Sequence, residues 1–205
     1  MKNWPKQDTF LGKFSMKERV FVGFSLKEES KKSLILLQDK VDRSLSKTKI
    51  SYSKIKPQNL HTTVCFLGWL SLNKIEQILD LLDKYKNGSY VFNFGSLKVF
   101  PSAKYPRVIC VSPAGECREY GSFQKSLVEE LRARGFKNLR FSPLHITLFR
   151  FSRRNSFGKY KVGVLSGVQR KFSVLNISVA TRRLELFRSV RSEQGMNYVP
   201  YNKNV

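Results

Sequence analysis

The chain has two histidines, and both lie in the same short motif. His61 is followed by Thr63 in Leu-His-Thr-Thr-Val, and His145 is followed by Thr147 in Leu-His-Ile-Thr-Leu. Residues two apart on a β-strand share a face, so each motif presents an imidazole beside a hydroxyl. A single His-x-Thr is usually structural. Two matched copies that contain every histidine of the chain favour a catalytic site.

Two imidazoles and two hydroxyls suit the cleavage of a phosphodiester. A base must take a proton from the attacking oxygen while an acid protonates the leaving oxygen, and imidazole does both near neutral pH. The hydroxyls of Thr63 and Thr147 would bind the non-bridging phosphate oxygens. This scheme requires no metal and no cofactor, and the residues alone do not decide which histidine is the acid.

Short strands alternating with three amphipathic helices must position these motifs. Apolar spacing predicts a helix over 27–45, opened by a capping box of Ser25 and Glu28, a second helix after Ser71 and a third over 123–131. Strands are predicted over 19–25, 50–55, 60–67, 90–99, 107–112, 144–151, 171–179, 183–190 and 196–201. The class is therefore α+β.

One domain accounts for most of the 205 residues. Residues 1–18 lack periodicity and are interpreted as an N-terminal extension, and the length of the remainder suits one domain or two small lobes. Residues 152–170 contain glycine, serine and basic residues, which predicts a long surface loop.

The charge balance indicates a polyanionic partner. Lys and Arg number 38 against 15 Asp and Glu, a net charge of +23, and between 150 and 191 the only acid is Glu185. Such a surface suits an RNA backbone, although solvated faces would give the same count. No apolar stretch predicts a membrane span or a signal peptide, and three cysteines form no metal motif, so a cytoplasmic protein is expected.

The segments around both motifs resemble the two-histidine (2H) phosphoesterases, in particular the RNA 2′,3′-cyclic phosphodiesterases once named 2′-5′ RNA ligases. The resemblance is carried by Gln-Asn-Leu-His-Thr-Thr-Val-Cys-Phe-Leu-Gly over 58–68 and by Ser-Pro-Leu-His-Ile-Thr-Leu-Phe-Arg over 142–150. The opening strand at 19–23, a hairpin at 99–108 and the closing strands at 186–201 are also similar.

This resemblance covers residues 19–201 and implies that they form a single bilobal domain, with 202–205 as a tail. The implied fold has two antiparallel sheets with flanking helices around a central cleft, and a pseudo-twofold relates its two lobes. It implies hydrolysis of RNA 2′,3′-cyclic phosphate ends to 2′-phosphate ends, with reverse 2′-5′ ligation as a second activity. His61 would donate a proton to the leaving 3′ oxygen, and His145 would accept one from water. Thr63 and Thr147 would hold the phosphate. The expected partner is an RNA with a 2′,3′-cyclic phosphate end, and the protein is expected to be a monomer.

Two further residues of the second motif are candidate substrate contacts. Arg150 matches the arginine that closes the family's motif, but on a strict pleat it faces away from His145, so a bulge or strand end must bring it to the phosphate. Phe149 shares the face of His145 by the same count, where it would stack on a base or pack in the core.

Two alternatives stay open from the sequence. The same chemistry could act on 2′-5′-linked oligonucleotides or small cyclic nucleotides. A basic RNA-binding module with incidental histidines would also explain the charge. Alanine at His61 or His145 separates an enzyme from a binding module, because only an enzyme loses turnover while RNA affinity is kept.

Overall fold

The computed structural model describes residues 17–85, 88–152, 158–193 and 195–201. Within them lie four α-helices: α1 (Glu28–Leu45), α2 (Leu72–Leu82), α3 (Arg118–Ala133) and α4 (Lys159–Lys171). The strands are β1 (Lys17–Leu26), β2 (Tyr52–Lys54), β3 (His61–Ser71), β4 (Val91–Phe100), β5 (Val108–Pro113), β6 (Arg140–Phe141), β7 (Ile146–Phe151), β8 (Ile177–Ser192) and β9 (Gly195–Pro200).

The strands are joined by antiparallel pairings into one sheet. Its order is β2-β7-β5-β4-β8-β1-β3-β6, and β9 pairs with β8. Because β7 also pairs with β3, the path from β7 through β5, β4, β8, β1 and β3 returns to β7. The predicted α+β class with antiparallel strands and flanking helices is confirmed, and the strands expected in two sheets are connected as halves of one.

The two faces of β1 have different neighbours. Val20, Val22, Phe24 and Leu26 are buried in the main apolar core, together with the apolar stripes of the helices. We call this side the helix face. The alternate residues of β1, among them Phe21, lie on the opposite side. We call that side the site face, because His61 pairs with Ser25 there.

The predicted loop over 152–170 is wrong for most of its length. Residues 158–171 form the N-cap and body of α4, which buries Leu165 and Val168, and 153–157 lie outside the described residues. Gly163 and Gly167 weaken the helical signal, since glycine is a poor helix former. The predicted strand over 171–179 is also wrong, because α4 runs to its first residue and β8 begins at Ile177.

Two predicted boundaries shift at the start of the domain. The Ser25–Glu28 capping box does not form, because Ser25 belongs to β1 and Lys27 is the residue that precedes α1. Strand β1 begins at Lys17, inside the predicted extension, whose residues 1–16 lie outside the described part together with the tail 202–205. No helix in the described ranges is long and apolar enough to cross a membrane.

Candidate active site

A single pairing between β3 and β7 sets the geometry of both motifs. Thr62 pairs with Ile146, each being the residue that follows a histidine. Directly paired residues of antiparallel strands share a face, and their neighbours on both strands share the other face. The pairing therefore places both histidines together with Thr63 and Thr147 on one face. Thr62 and Ile146 are fully buried on the other.

Both imidazoles are held by the backbone in the same way. Nδ1 of His61 donates a hydrogen bond to the carbonyl of Asn59 at 2.7 Å, and Nδ1 of His145 donates to the carbonyl of Pro143 at 2.7 Å. A carbonyl can only accept, so Nδ1 carries the proton in each neutral ring. Nε2 of each ring is left with its lone pair for chemistry.

The hydroxyl of Thr63 lies beside the first imidazole. Its Oγ1 is 3.1 Å from Nε2 of His61, to which it donates when the ring is neutral. Thr63 is only 5% exposed, whereas Thr147 is half-buried. The structure thus brings together the four residues that the repeat predicts as the site.

Aromatic rings fix the plane of His61. The ring of Phe21 lies 4.9 Å from the imidazole, and the ring of Tyr198 meets it edge-on at 4.8 Å. Phe187 stacks on Phe21 at 5.1 Å between ring centres. This packing restricts the rotation of His61 and removes water from one side of it.

The same burial keeps both histidines uncharged in the free protein. Desolvation lowers the pKa of His61 to about 4, opposed by the bond to Asn59 and reinforced by His145 when that ring is protonated and by the charge of Arg150. Burial also lowers the pKa of His145, opposed by its bond to Pro143. Burial penalises the charged form of an imidazole, so both rings are predominantly neutral at pH 7.

Arg150 reaches the site through a β-bulge. On β5, Cys110 pairs with Thr147 while Ile109 pairs with Phe149, so Leu148 is an extra residue on β7. A bulge reverses the alternation of faces beyond it. Arg150 therefore lies on the face of Thr147, as the prediction required, and its guanidinium donates to the hydroxyl of Tyr198 at 3.3 Å.

The same bulge moves Phe149 into the core. Its side chain is fully buried and packs edge-on against Tyr52, with ring centres 5.6 Å apart. The prediction that Phe149 contacts substrate is therefore wrong, because strict alternation does not hold through Leu148. A second bulge at Val64 likewise turns Cys65 to the helix face, where it is fully buried.

Sequence reasoning missed two residues on the site face, of which the first contacts His61. Tyr198 contacts both His61 and Arg150, and the sequence signals it only as part of the closing strands. Glu185 pairs with Gly23 on the site face, and its side chain is only 9% exposed. Its Oε1 accepts from Nε of Arg183 at 3.0 Å, while Oε2 is buried without a partner among the described residues.

A glutamine of α3 ties the two motifs together. Nε2 of Gln124 donates to the carbonyl of Val64 at 2.7 Å and to the carbonyl of Ser142 at 2.8 Å. These carbonyls follow the first histidine and precede the second. In the part of the chain that the structure describes, no three His, Cys, Asp or Glu side chains cluster as ligands for a metal ion.

Residues 24–110 match the model of the LigT-like phosphoesterase family. The matched segment contains the first motif and stops before His145. Over this segment the chain is similar to the LigT-like phosphoesterases. The resemblance that the sequence predicts is thereby confirmed over the segment that contains the first motif.

Curated relatives of the chain carry the name RNA 2′,3′-cyclic phosphodiesterase. The Archaeoglobus fulgidus protein is 29% identical over 49% of this chain, which spans only 57% of that relative. The Methanothermobacter thermautotrophicus protein is 25% identical over 87% of this chain and 91% of its own length. The Aquifex aeolicus protein is 26% identical over 64% of this chain and 70% of its own length.

Solved structures share the fold of this chain. Escherichia coli LigT complexed with 3′-AMP superimposes with a TM-score of 0.65 at 19% identity, covering 91% of this chain and 96% of its own. A Thermus thermophilus protein superimposes with a TM-score of 0.64 at 20% identity, covering 90% of this chain and 95% of its own. The likeness in fold therefore extends over most of this chain and nearly all of each solved structure.

Proposed function

We propose that the chain hydrolyses RNA 2′,3′-cyclic phosphate ends to 2′-phosphate ends. The observation that carries the proposal is the Thr62–Ile146 pairing, from which two imidazoles and two threonine hydroxyls share one face of the sheet. The relatives named RNA 2′,3′-cyclic phosphodiesterase supply the substrate class. The net charge of +23 supports a polyanionic substrate over a small neutral one.

In the proposed reaction, water attacks phosphorus while Nε2 of His145 takes its proton. The bond from phosphorus to the 3′ oxygen breaks, and Nε2 of His61 donates a proton to that oxygen. The products are a 2′-phosphate and a 3′-hydroxyl. The family resemblance assigns these two roles, since the motif geometry itself is nearly symmetric.

The acid must gain its proton in the complex. His61 is neutral in the free protein because burial lowers its pKa to about 4. A bound phosphodiester anion favours the imidazolium and raises that pKa, so substrate binding and protonation of His61 are coupled. The substrate thereby helps to charge its own general acid.

The threonines and the arginine would hold the phosphate. Thr63 Oγ1 already lies within hydrogen-bond distance of Nε2 of His61, so one phosphate oxygen can be shared between them. Arg150 is exposed on the same face and offers a planar pair of donors. Charge that develops on the phosphoryl oxygens would be met by donors already in place.

The test uses a short RNA that ends in a 2′,3′-cyclic phosphate, incubated with EDTA and the purified protein. The expected product is a 2′-phosphate, made by wild type and reduced at least about 10³-fold by His61→Ala or His145→Ala. Thermal melts confirm that each variant is folded. Ligation is tested by the same proteins with one RNA that ends in a 2′,3′-cyclic phosphate and one with a 5′-hydroxyl, whose attack on phosphorus would break the bond to the 3′ oxygen and leave a 2′-5′ linkage.

Other results would contradict the proposal. A 3′-phosphate product would refute the assigned leaving oxygen, and turnover retained by either alanine variant would refute that histidine's role. Loss of turnover with EDTA would refute the metal-free scheme. Turnover of small cyclic nucleotides alone would move the substrate class to the alternative.

A further inference from the structure

Trp69 is a large apolar side chain on the site face that remains mostly in solvent. It lies on β3, beyond His61 toward the end of the strand, and is 66% exposed. Exposed tryptophan is unusual, because burying an indole contributes much to stability. Packing therefore does not account for Trp69.

The strand register places Trp69 on the same side of the sheet as the site. On β1, Phe21 and Arg19 share the site face, and Trp69 pairs directly with Arg19. Leu67 is an extra residue on β3, because Phe66 pairs with Phe21 while Gly68 pairs with Val20. This bulge shifts the alternation by one residue, so Trp69 lies on the site face. A path along β3 thus leads from His61 to an exposed aromatic ring.

A basic groove of about 1020 Å³ lies beside Trp69. Four cations line it: Lys17, Lys74, Lys137 and Arg140. No carboxylate lines it within the part of the chain that the structure describes. Arg19 adds a further exposed cation directly opposite Trp69.

We infer that this surface binds the single-stranded RNA that lies upstream of the reacting end, with one base stacked on Trp69. Cations that follow the backbone and an aromatic face for a base are the two features of such surfaces. The inference rests on the proposed function, which places the 3′ end of the RNA at His61. Trp69 and the basic groove together form what we call the upstream surface.

The separation fits an oligonucleotide rather than a mononucleotide. Strand β3 rises about 3.3 Å for each residue, so Trp69 lies roughly 25 Å from His61 along the strand. A stacked strand rises about 3.4 Å per nucleotide, so the span corresponds to about seven stacked nucleotides, or fewer when the strand is extended. A dinucleotide bound at the histidines cannot reach Trp69.

The experiment compares RNAs of two lengths. Equilibrium binding of a fluorescent RNA of about twelve nucleotides with a 2′-phosphate end is measured beside a dinucleotide with the same end. Trp69→Ala should lower the affinity for the longer RNA about 10-fold and leave the affinity for the dinucleotide unchanged. Trp69→Phe should retain most of the affinity for the longer RNA. Leu36→Ala is the matched control, since Leu36 is 64% exposed on α1, which packs on the helix face.

The basic groove has its own readout. The paired change Lys74→Gln with Lys137→Gln should lower the salt dependence of binding the longer RNA by about one unit of the logarithmic slope. Equal affinity of wild type and Trp69→Ala for the longer RNA would overturn the inference, as would equal losses at both lengths. A docking surface for another protein would give the first of these results.

Turnover separates this inference from the proposed function. The same two lengths are supplied with 2′,3′-cyclic ends, and each variant is assayed for hydrolysis. If wild type converts neither substrate while Trp69→Ala still weakens only the longer RNA, the proposed reaction fails and the upstream surface stands. If both lengths are hydrolysed and Trp69→Ala changes neither binding nor KM, the surface fails and the reaction stands.

Discussion

Val64 and Leu148 occupy matching places in the two motifs: each lies three residues after a histidine, and each is the extra residue of a β-bulge. Their carbonyls are bound alike. The carbonyl of Val64 accepts from the backbone N–H of Ser142 at 3.3 Å, and that of Leu148 accepts from Ile55 at 2.9 Å. Each bulge is thus tied to the segment that precedes the other motif.

A glutamine completes both arrangements. Gln124 donates to Val64 at 2.7 Å, and Gln38 donates to Leu148 at 2.8 Å and to Ile55 at 3.0 Å. Gln38 is only 3% exposed. The two helices α3 and α1 therefore hold equivalent bulges through equivalent amides, which is the local two-fold relation that the repeated motif predicts.

Replacing either glutamine by leucine should loosen the motif that it holds. Each change takes a donor from a buried carbonyl, at about 1–3 kcal/mol of unfolding free energy. Below the melting transition, we expect Gln124→Leu and Gln38→Leu to lower kcat several-fold with KM nearly unchanged, because the reacting groups shift. Gln77→Leu, an exposed change on α2, is the control. Unchanged kcat in both variants would show that the bulges need no side-chain support.

Arg150 and Tyr198 should act as a coupled pair. Arg150→Gln removes a charged donor and is expected to lower kcat/KM by about 10²-fold. Tyr198→Phe keeps the ring against His61 but removes the hydroxyl that accepts from Arg150, so a loss of about 2- to 10-fold is expected. In the Arg150→Gln protein the tyrosine change should cost little more. Additive losses in this double-mutant cycle would refute the coupling.

Anion binding should take up a proton. The pKa of His61 is lowered to about 4 and that of His145 is lowered as well, so both rings are neutral before binding. An adjacent anion raises these pKa values, and the complex therefore holds more protons than its free components. Sulfate keeps a fixed charge near neutral pH and is a suitable probe.

Calorimetry in two buffers of different ionisation enthalpy measures that proton uptake. We expect uptake approaching one proton per sulfate as the pH falls from about 7 to about 5, with affinity rising in the same direction. His61→Gln should reduce the uptake. Proton release, or affinity that does not vary with pH, would show that sulfate does not bind beside the histidines.

The sequence predicts the site more completely than the path of the chain around it. The repeat Leu-His-x-Thr-aliphatic groups His61, Thr63, His145 and Thr147 without any knowledge of tertiary contacts, and the strand pairing places all four on one face. The bulges are not visible in the sequence, because an extra residue on one strand is defined only by its partner strand. Strict alternation misplaces Phe149 for that reason.

Other features depend on contacts between distant segments. Tyr198 reaches His61 because β9 pairs with β8, and because the backbone N–H of Tyr198 donates to Oδ1 of Asn59 at 3.0 Å. Helix α4 forms despite two glycines because it buries Leu165 and Val168. Local propensity is outweighed there by tertiary packing.

Gly23 gives a final prediction, because the space beside it is closed by backbone. It pairs with Thr63 on one side and with Glu185 on the other. A Cβ at this position would lie 2.5 Å from the carbonyl oxygen of Thr62, the residue that joins β3 to β7. An atom cannot be added there unless the motif strand moves.

Gly23→Ala should therefore destabilise the protein by about 1–3 kcal/mol and lower kcat, because the displaced Thr62 carries both histidines out of alignment. Gly121→Ala is the matched control: no described atom outside its own helix turn lies within 4 Å of a Cβ there, and alanine favours α3. Denaturant melts and single-turnover rates measure the two effects. If Gly23→Ala and Gly121→Ala have the same unfolding free energy and the same single-turnover rate, β1 and β3 can separate without cost. The Thr62–Ile146 pairing would then not control the distance between the two imidazoles.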